Sequence, residues 1–354
     1  MHTCDVVIAG AGIIGLSLAI ELKRAGASVA VLDRGEPGRE ASSAAAGMLV
    51  ADDPETDPKL KPMAGMSASM YPAFVEELEL RSGKSVGLEN RGTLYIAQTD
   101  EELRSSPLSL EELKGLEPEL AQFPRVCLLQ EQTVDPRLLV LAALATARSM
   151  GITVHHEARV EIVSIATTRD LDVRTGAGPY STATFVNCAG AWAGEILGVS
   201  TPSRPVKGQM LTVIPRDREL RHVIRSREVY VLPRKSGRIL IGATVEEAGF
   251  DKTVQPDAIQ KLHQAAAHLV PCIGEAKMIE AWAGLRPASP DGLPIIGAGA
   301  LPGTYIATGH FRNGILLAPA TAALMSDLIQ GRQPQIDLLP FSPLRFSGDR
   351  ALAG

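Results

Sequence analysis

The chain has 354 residues, 45% of them from the set AVILMFWYC and 21% charged, which supplies a sizeable core and argues against disorder. Lys and Arg total 35 against 40 Asp and Glu, a formal charge of −5, and aromatics are only 4%. Neither a basic nucleic-acid platform nor a base-stacking array fits those values, and no run approaches ~18 uninterrupted apolar residues, so no membrane span is expected.

Residues 5–9 (DVVIA) form a short β-branched run suited to a buried parallel strand. Gly10-Ala11-Gly12-Ile13-Ile14-Gly15 follows, and then Ile14, Leu18, Ala19, Leu22 and Ala25 recur at helical spacing, with Gly26 as C-cap. A second strand over 28–32 ends at Asp33. In such a β-turn-α-β unit Gly10 permits the tight turn, Gly12 the approach of a pyrophosphate, and Gly15 close packing of helix on strand. The N–H groups around Ile13 and Ile14 face the phosphate charge. Asp33 accepts from the adenosine ribose hydroxyls, with Arg34 beside it. A bare G-x-G-x-x-G is a weak signal. The strand before it, the helix after it and the acid at the end of the next strand make a dinucleotide site far better supported than an empty turn.

Ser42 and Ser43 head a run of small residues through Ala46, Gly47 and Met48, along which an extended dinucleotide fits, the hydroxyls donating to phosphate. On that run alone a flexible loop reads equally well. Further on, the pattern predicts a loop over 52–62, a helix over 67–81, a strand over 92–97, and short helices over 100–105 and 109–116. Asp135 and Pro136 mark the N-cap and first position of a helix through residue 150. A hairpin over 160–165 and 171–175 and a buried strand over 185–189 come next. A strand-rich block (206–214, 229–232, 239–242, 278–283) includes one helix, 256–270, and the chain closes with a strand over 304–307 and a helix over 314–330. Arg234, Lys235 and Arg238 read as a solvated hairpin tip.

Parallel-type strands at the start, near 185 and near 305 enclose antiparallel-type segments. The expected fold is mixed α/β: a discontinuous Rossmann-like nucleotide domain (1–80, 140–204 and 286–354) with an inserted antiparallel-β substrate domain (81–139 and 205–285). The four cysteines, Cys4, Cys127, Cys188 and Cys272, form no C-x-x-C and no zinc spacing, so reduced thiols in a cytoplasm and no metal are expected. The first residues carry no basic n-region of a signal peptide.

Five segments carry a family resemblance: GAGIIG (10–15), SSAAAGML (42–49), YVLPRKSGR (230–238), WAGLRP…DGLPIIG (282–297) and ATGHFRNGILLAPAT (307–321). Together they resemble the flavin-dependent amine oxidases related to D-amino-acid oxidase and sarcosine oxidase, and within them the glycine-oxidase branch of thiamine biosynthesis. The likeness spans nearly the whole chain and is poorest over 52–66. It implies FAD, bound non-covalently, because the last cysteine, Cys272, precedes the C-terminal motifs. It implies FAD contacts at Ile13, Ile14, Asp33, Arg34, Ser42, Ala46, Gly47, Met48, Val160 and Gly190, and along His310, Phe311, Arg312, Asn313, Gly314, Ile315 and Leu316. Arg286 and Arg312 match residues near the substrate carboxylate, and Tyr230 matches a tyrosine facing the substrate. Without the resemblance, Arg286 reads as a surface ion pair and Tyr230 equally well as a strand aromatic, while Arg312 pairs with flavin or an acid. The first N–H groups of the C-terminal helix would meet the flavin edge where charge collects on reduction, while Ile315, Leu316, Ala320 and Leu324 pack.

The activity so implied is oxidative deamination of glycine, or of sarcosine or D-alanine. Hydride leaves Cα of the neutral amine for the flavin, and O2 reoxidises it to hydrogen peroxide. Iminoglycine passes to thiazole synthesis or hydrolyses to glyoxylate and ammonia. No side-chain base is required, so no catalytic residue is named, and His310 has backbone or structural duty. A broader D-amino-acid or sarcosine oxidase, a flavin dehydrogenase using another acceptor, and a nucleotide-binding regulator without turnover are the alternatives. The resemblance also implies a homo-oligomer, tetrameric in the family.

Overall fold

The N-terminal strand, His2–Ala9, lies in the middle of an 8-stranded sheet. It pairs in parallel with Val29–Leu32 on one side and Tyr180–Asn187 on the other. Thr153–His155 and Thr304–Thr308 extend the parallel set, Ile295–Ala298 adds an antiparallel edge, and Val160–Ile165 with Leu171–Thr175 forms an antiparallel meander. Val6, Ile8, Val29 and Val31 enter one core, while Val7, Ala9, Ala30 and Leu32 enter another, because successive strand side chains alternate faces. Helices Ile13–Arg24, Lys61–Ser82, Pro136–Ser149 and Gly314–Ile329 cover the first face. The meander covers the second. This computed structural model describes residues 1–53, 56–216 and 220–346.

A second sheet has 7 strands, in the order Lys277–Ala288, Arg204–Ile214, Ile239–Gly242, Tyr230–Pro233, Val223–Arg225, Thr93–Ile96 and Val126–Leu129. Neighbours are antiparallel except Val223–Arg225 and Thr93–Ile96, which run parallel; a long crossover connects those two strands, as parallel pairing requires. Leu211, Val213, Val231 and Ile241 pack with Ile259, Leu262, Ala266 and Leu269 of helix Pro256–Leu269. The opposite face carries Met210, Tyr230 and Trp282 towards Ala46 and Met48. The architecture is therefore mixed α/β, with a largely parallel sheet and a largely antiparallel one.

Several elements differ from the sequence pattern for local reasons. The helix expected over 67–81 begins at Lys61, with Pro62 in its first turn, so the end of the expected 52–62 loop is helical; Pro54 and Glu55 of that loop lie outside the described residues. The 100–105 helix is a single turn, Asp100–Glu102. Ala41–Ala44 is a short helix inside the small-residue run. Thr153–His155, Val223–Arg225 and Ile295–Ala298 are too short to show a period and owe their strand form to their neighbours. Lys277–Ala288 runs past the expected end at 283, and past the expected domain boundary before 286, because Arg204–Ile214 pairs along its whole length. Helix Pro136–Ser149 likewise crosses the expected boundary at 139/140, with Leu139, Val140, Ala142 and Ala143 all in the first core. Its N-cap is as expected: Asp135 accepts from Arg137 N–H at 2.9 Å.

Pro319 sits inside helix Gly314–Ile329. It lacks an N–H, so the carbonyl of Ile315, four residues earlier, loses its usual donor. The Tyr71 hydroxyl donates to that carbonyl at 2.5 Å. One residue on, Ser67 Oγ inserts into the ladder, donating to Leu316 O at 2.6 Å and accepting from Ala320 N–H at 3.2 Å. Two fully buried hydroxyls of one helix thus complete the backbone of another. Tyr71→Phe leaves the Ile315 carbonyl unsatisfied in the core, and a loss of about 1–3 kcal/mol is expected in urea unfolding.

Candidate functional site

A cavity of about 1120 Å³ extends from the glycine turn to the face of the second sheet. At its first end Gly10 has φ +102°, and a Cβ there would lie 2.3 Å from the Cys188 carbonyl oxygen. A Cβ on Gly15 would lie 2.0 Å from the Gly10 carbonyl oxygen, so Gly15 acts behind the turn by letting helix meet strand. Gly12 precedes the helix and lines the cavity with Ile13 and Ile14. The Ile13 N–H donates to Ser42 Oγ at 3.0 Å, which leaves the Ser42 hydroxyl proton to donate elsewhere.

Asp33 accepts from Ala11 N–H at 2.7 Å and from Gly35 N–H at 2.9 Å. Burial pushes its carboxyl above the ordinary aspartate value, and those two N–H groups oppose the shift. Arg34 lies 4.6 Å from the Trp192 ring centroid and 3.8 Å from Glu195. Ala46, Gly47, Met48, Val160 and Gly190 also line the cavity. Gly47 has φ +84°, and a Cβ there would lie 2.0 Å from Val134 O. Ser43 and Leu316 are not brought to the wall. Ser43 donates to the Glu40 carbonyl within its own short helix, and the Leu316 side chain is core. Cys188 is on the wall with its thiol pushed up by burial, whereas Cys272 packs beside the second core.

The other end is built on strand register. Arg286, on Lys277–Ala288, lies over Gly208 of the neighbouring strand, where a Cβ would be 2.2 Å from its Nη1. That Nη1 donates to Thr244 O at 3.0 Å and Lys207 O at 3.3 Å. Among the described residues no ion pair engages Arg286, and burial lowers its pKa. Tyr230 lies over Gly242 in the same manner, a Cβ there being 2.4 Å from the hydroxyl. Burial raises the Tyr230 phenol to about 12, while Arg286, Arg234 and Arg312 pull the other way. The phenol is therefore a protonated donor in a positive neighbourhood.

Arg312 reaches the cavity beside Phe311, whose φ of 48° is a left-handed backbone for a bulky residue. Asn313, Gly314 and Ile315 complete this wall. No side chain caps helix Gly314–Ile329, and its N-terminal end opens on the cavity. A glycine cradle, a fixed ribose-facing acid and an open helix end fit a bound dinucleotide with a charged head group.

The FAD dependent oxidoreductase family profile matches residues 5–328. The chain belongs to that family. It is 35% identical to the glycine oxidase of Pseudomonas aeruginosa, across 96% of this chain and 98% of that protein. It is 36% identical to the bifunctional protein ThiO/ThiG of Trichormus variabilis, across 97% of this chain and 55% of that one. The crystal structure of glycine oxidase from Geobacillus kaustophilus superposes with a TM-score of 0.91 at 32% identity, covering 98% of this chain and 99% of that one.

This FAD-dependent oxidoreductase also uses residues that its motifs did not announce. Arg234 is no solvated hairpin tip. Its guanidinium donates to Val134 O at 2.9 Å and to Ala46 O, pinning the small-residue segment to the second sheet. Trp282 Nε1 donates to Ala44 O at 3.2 Å from the same side. Gly208 and Gly242 have a sequence signal in retrospect, since glycine inside a strand marks a close approach. Trp192 has none. No helix among the described residues is long and apolar enough to cross a membrane.

His310 is buried, its Nε2 lies 3.1 Å from Thr321 Oγ1, and burial lowers its pKa to about 3. A histidine whose folded pKa is depressed contributes stability above its unfolded value of about 6.5 and loses it as pH falls from there towards the folded value. Between those limits the native protein is expected to lose up to about 1.4 kcal/mol per pH unit more than a His310→Gln variant in urea titrations.

Proposed function

We propose that this family member is a glycine oxidase. The reading is carried by Arg286: a buried guanidinium, half satisfied by backbone carbonyls, next to a protonated tyrosine in the cavity that begins at the glycine turn. A planar guanidinium with free donors calls for a carboxylate. Glycine brings one carboxylate, one amine and a Cα with nothing else attached.

In this reading Arg286, with Arg312, holds the carboxylate, and the Tyr230 hydroxyl donates to it. The anion supplies the counter-charge that the guanidinium lost on burial. FAD is held by Gly10, Gly12, Ile13, Ile14, Asp33, Arg34 and Ser42, by segment 46–48, by Val160 and Gly190, and by His310 to Ile315. When bound, it supplies the two-electron acceptor. The clamp orients Cα–H towards that acceptor. The open end of helix Gly314–Ile329 favours negative charge gathering beside it. His310 is the one imidazole on the cavity wall among the described residues, and it is neutral and bonded to Thr321. It orders the turn before Phe311 and does not take the amine proton; a substrate arriving as the neutral amine needs no base.

The overall change is glycine, O2 and water to glyoxylate, ammonia and hydrogen peroxide, with the imine as the product before hydrolysis. Similarity to a bifunctional ThiO/ThiG protein supports delivery of that imine to thiazole assembly. Peroxide release on adding glycine separates this reading from a dehydrogenase.

Arg286→Ala is expected to cost about 2–5 kcal/mol of substrate binding, as for one truncated member of a buried charge pair. Gly208→Ala keeps the guanidinium but displaces it, and should raise KM for glycine while the flavin spectrum stays native. Unchanged glycine kinetics in both variants would remove Arg286 from the clamp.

A further inference from the structure

The Lys207 side chain is 1% exposed, and the substrate clamp uses only the carbonyl of this residue. A buried ammonium has to be paired. Its Nζ donates to Thr253 O at 2.5 Å and lies 3.6 Å from Asp251 and 3.8 Å from Glu246. All three partners belong to segment 246–253, which follows strand Ile239–Gly242. At one end of the segment Lys207 and Glu246 exchange two backbone hydrogen bonds of 2.9 Å. Just past the other end the Gln255 N–H donates to Gln209 Oε1 at 2.6 Å. Segment 246–253 is therefore a loop rooted at both ends on strand Arg204–Ile214.

Its tip crosses to the nucleotide half. The Phe250 ring stacks on Trp192, with centroids 5.4 Å apart and planes at 28°. Lys252 Nζ donates to both carboxylate oxygens of Glu40, at 3.0 and 3.1 Å. Phe250 is 46% exposed, so its packing partner is this one ring and no core. Trp192 also carries the Arg34 guanidinium, 4.6 Å from its centroid. Arg34 has little else to fix it. Glu195 stands 3.8 Å away and gives its closer contact, 3.1 Å, to Arg159. Trp192, Arg34 and Glu40 all line the cavity, at the end where Asp33 closes the second strand.

We propose that segment 246–253 is a strap that retains the adenosine half of the bound FAD, with Phe250 and Trp192 as positioning residues for the Arg34 guanidinium. The inference rests on the reading that Asp33 and Arg34 face that half of the cofactor. Phe250 backs Trp192, Trp192 carries the guanidinium, and the Lys252–Glu40 pair holds the far end of the turn that begins at Arg34. The strap is rooted on the strand that seats Arg286, so the sheet holding the substrate carboxylate also holds the distant end of the cofactor.

The test follows FAD release from the holoenzyme by flavin fluorescence after dilution, and FAD affinity by titration of the apoprotein. Phe250→Ala is expected to release FAD about three- to tenfold faster, as for the loss of one aromatic pair. Trp192→Ala, which loses the pair and the cation contact together, should weaken FAD binding at least about tenfold. The double variant should match Trp192→Ala within about twofold, because Phe250 acts through that ring. Phe250→Tyr keeps the ring and should restore wild-type release; if Trp192→Ala does not fold, the contrast between the two Phe250 variants decides. The proposal is overturned if Phe250→Ala releases FAD at the wild-type rate, or if the Phe250 and Trp192 effects multiply independently. It is also overturned if faster release is matched by an equal loss of apoprotein stability in urea. Unchanged FAD release in Arg34→Ala would instead strike the reading that Arg34 faces the cofactor.

Discussion

A guanidinium taken out of water without a carboxylate beside it is the costly feature around which this molecule is arranged. Desolvating an unpaired charge is unfavourable by several kcal/mol after relaxation, and the fold keeps Arg286 in that condition by three devices. Bare backbone at Gly208 makes room for it, the carbonyls of Lys207 and Thr244 take one of its nitrogens, and continuous pairing of Lys277–Ala288 with Arg204–Ile214 holds it in register. What remains unsatisfied is binding capacity for an anion.

The same logic orders the rest of the antiparallel sheet. Large polar side chains rest on glycines of neighbouring strands, Arg286 on Gly208 and Tyr230 on Gly242, while Gly284 accepts Ala44 from the opposite wall at a spacing where a Cβ would stand 2.4 Å away. These positions allow the segment next to the glycine turn to lie close against the sheet, and Arg234 and Trp282 lock it there through backbone carbonyls. The two halves of the cavity are thus coupled by hydrogen bonds from one sheet to the loop that serves the other. The open end of helix Gly314–Ile329 is held in the same spirit. Its internal proline would leave a weak ladder, and Tyr71 and Ser67 complete it from the adjacent helix.

Much of the nucleotide half was legible because its signals are local. Gly10 needs a positive φ, Gly15 needs contact with the backbone of the turn, and Asp33 needs only to end the second strand; a β-turn-α-β unit expresses all three within about 30 residues. The cap at Asp135 was readable for the same reason. Ser43 shows the limit of local reading. It stands next to Ser42 in sequence, but one helical turn directs its hydroxyl back to Glu40 and away from the cavity.

The amino-acid order by itself determined the glycine turn, the acid that follows it, the alternation of apolar strands and helices, and, through extended motifs, the kinship with flavin-dependent amine oxidases. Tertiary structure alone decided which distant residues meet: that Arg286 is buried and lies on Gly208, and that Arg234 is a brace and no surface charge. The reason is physical. Helical and strand periods and caps act over a few neighbours, whereas cross-strand register and burial depend on pairings between segments far apart in the chain, and no local pattern encodes those.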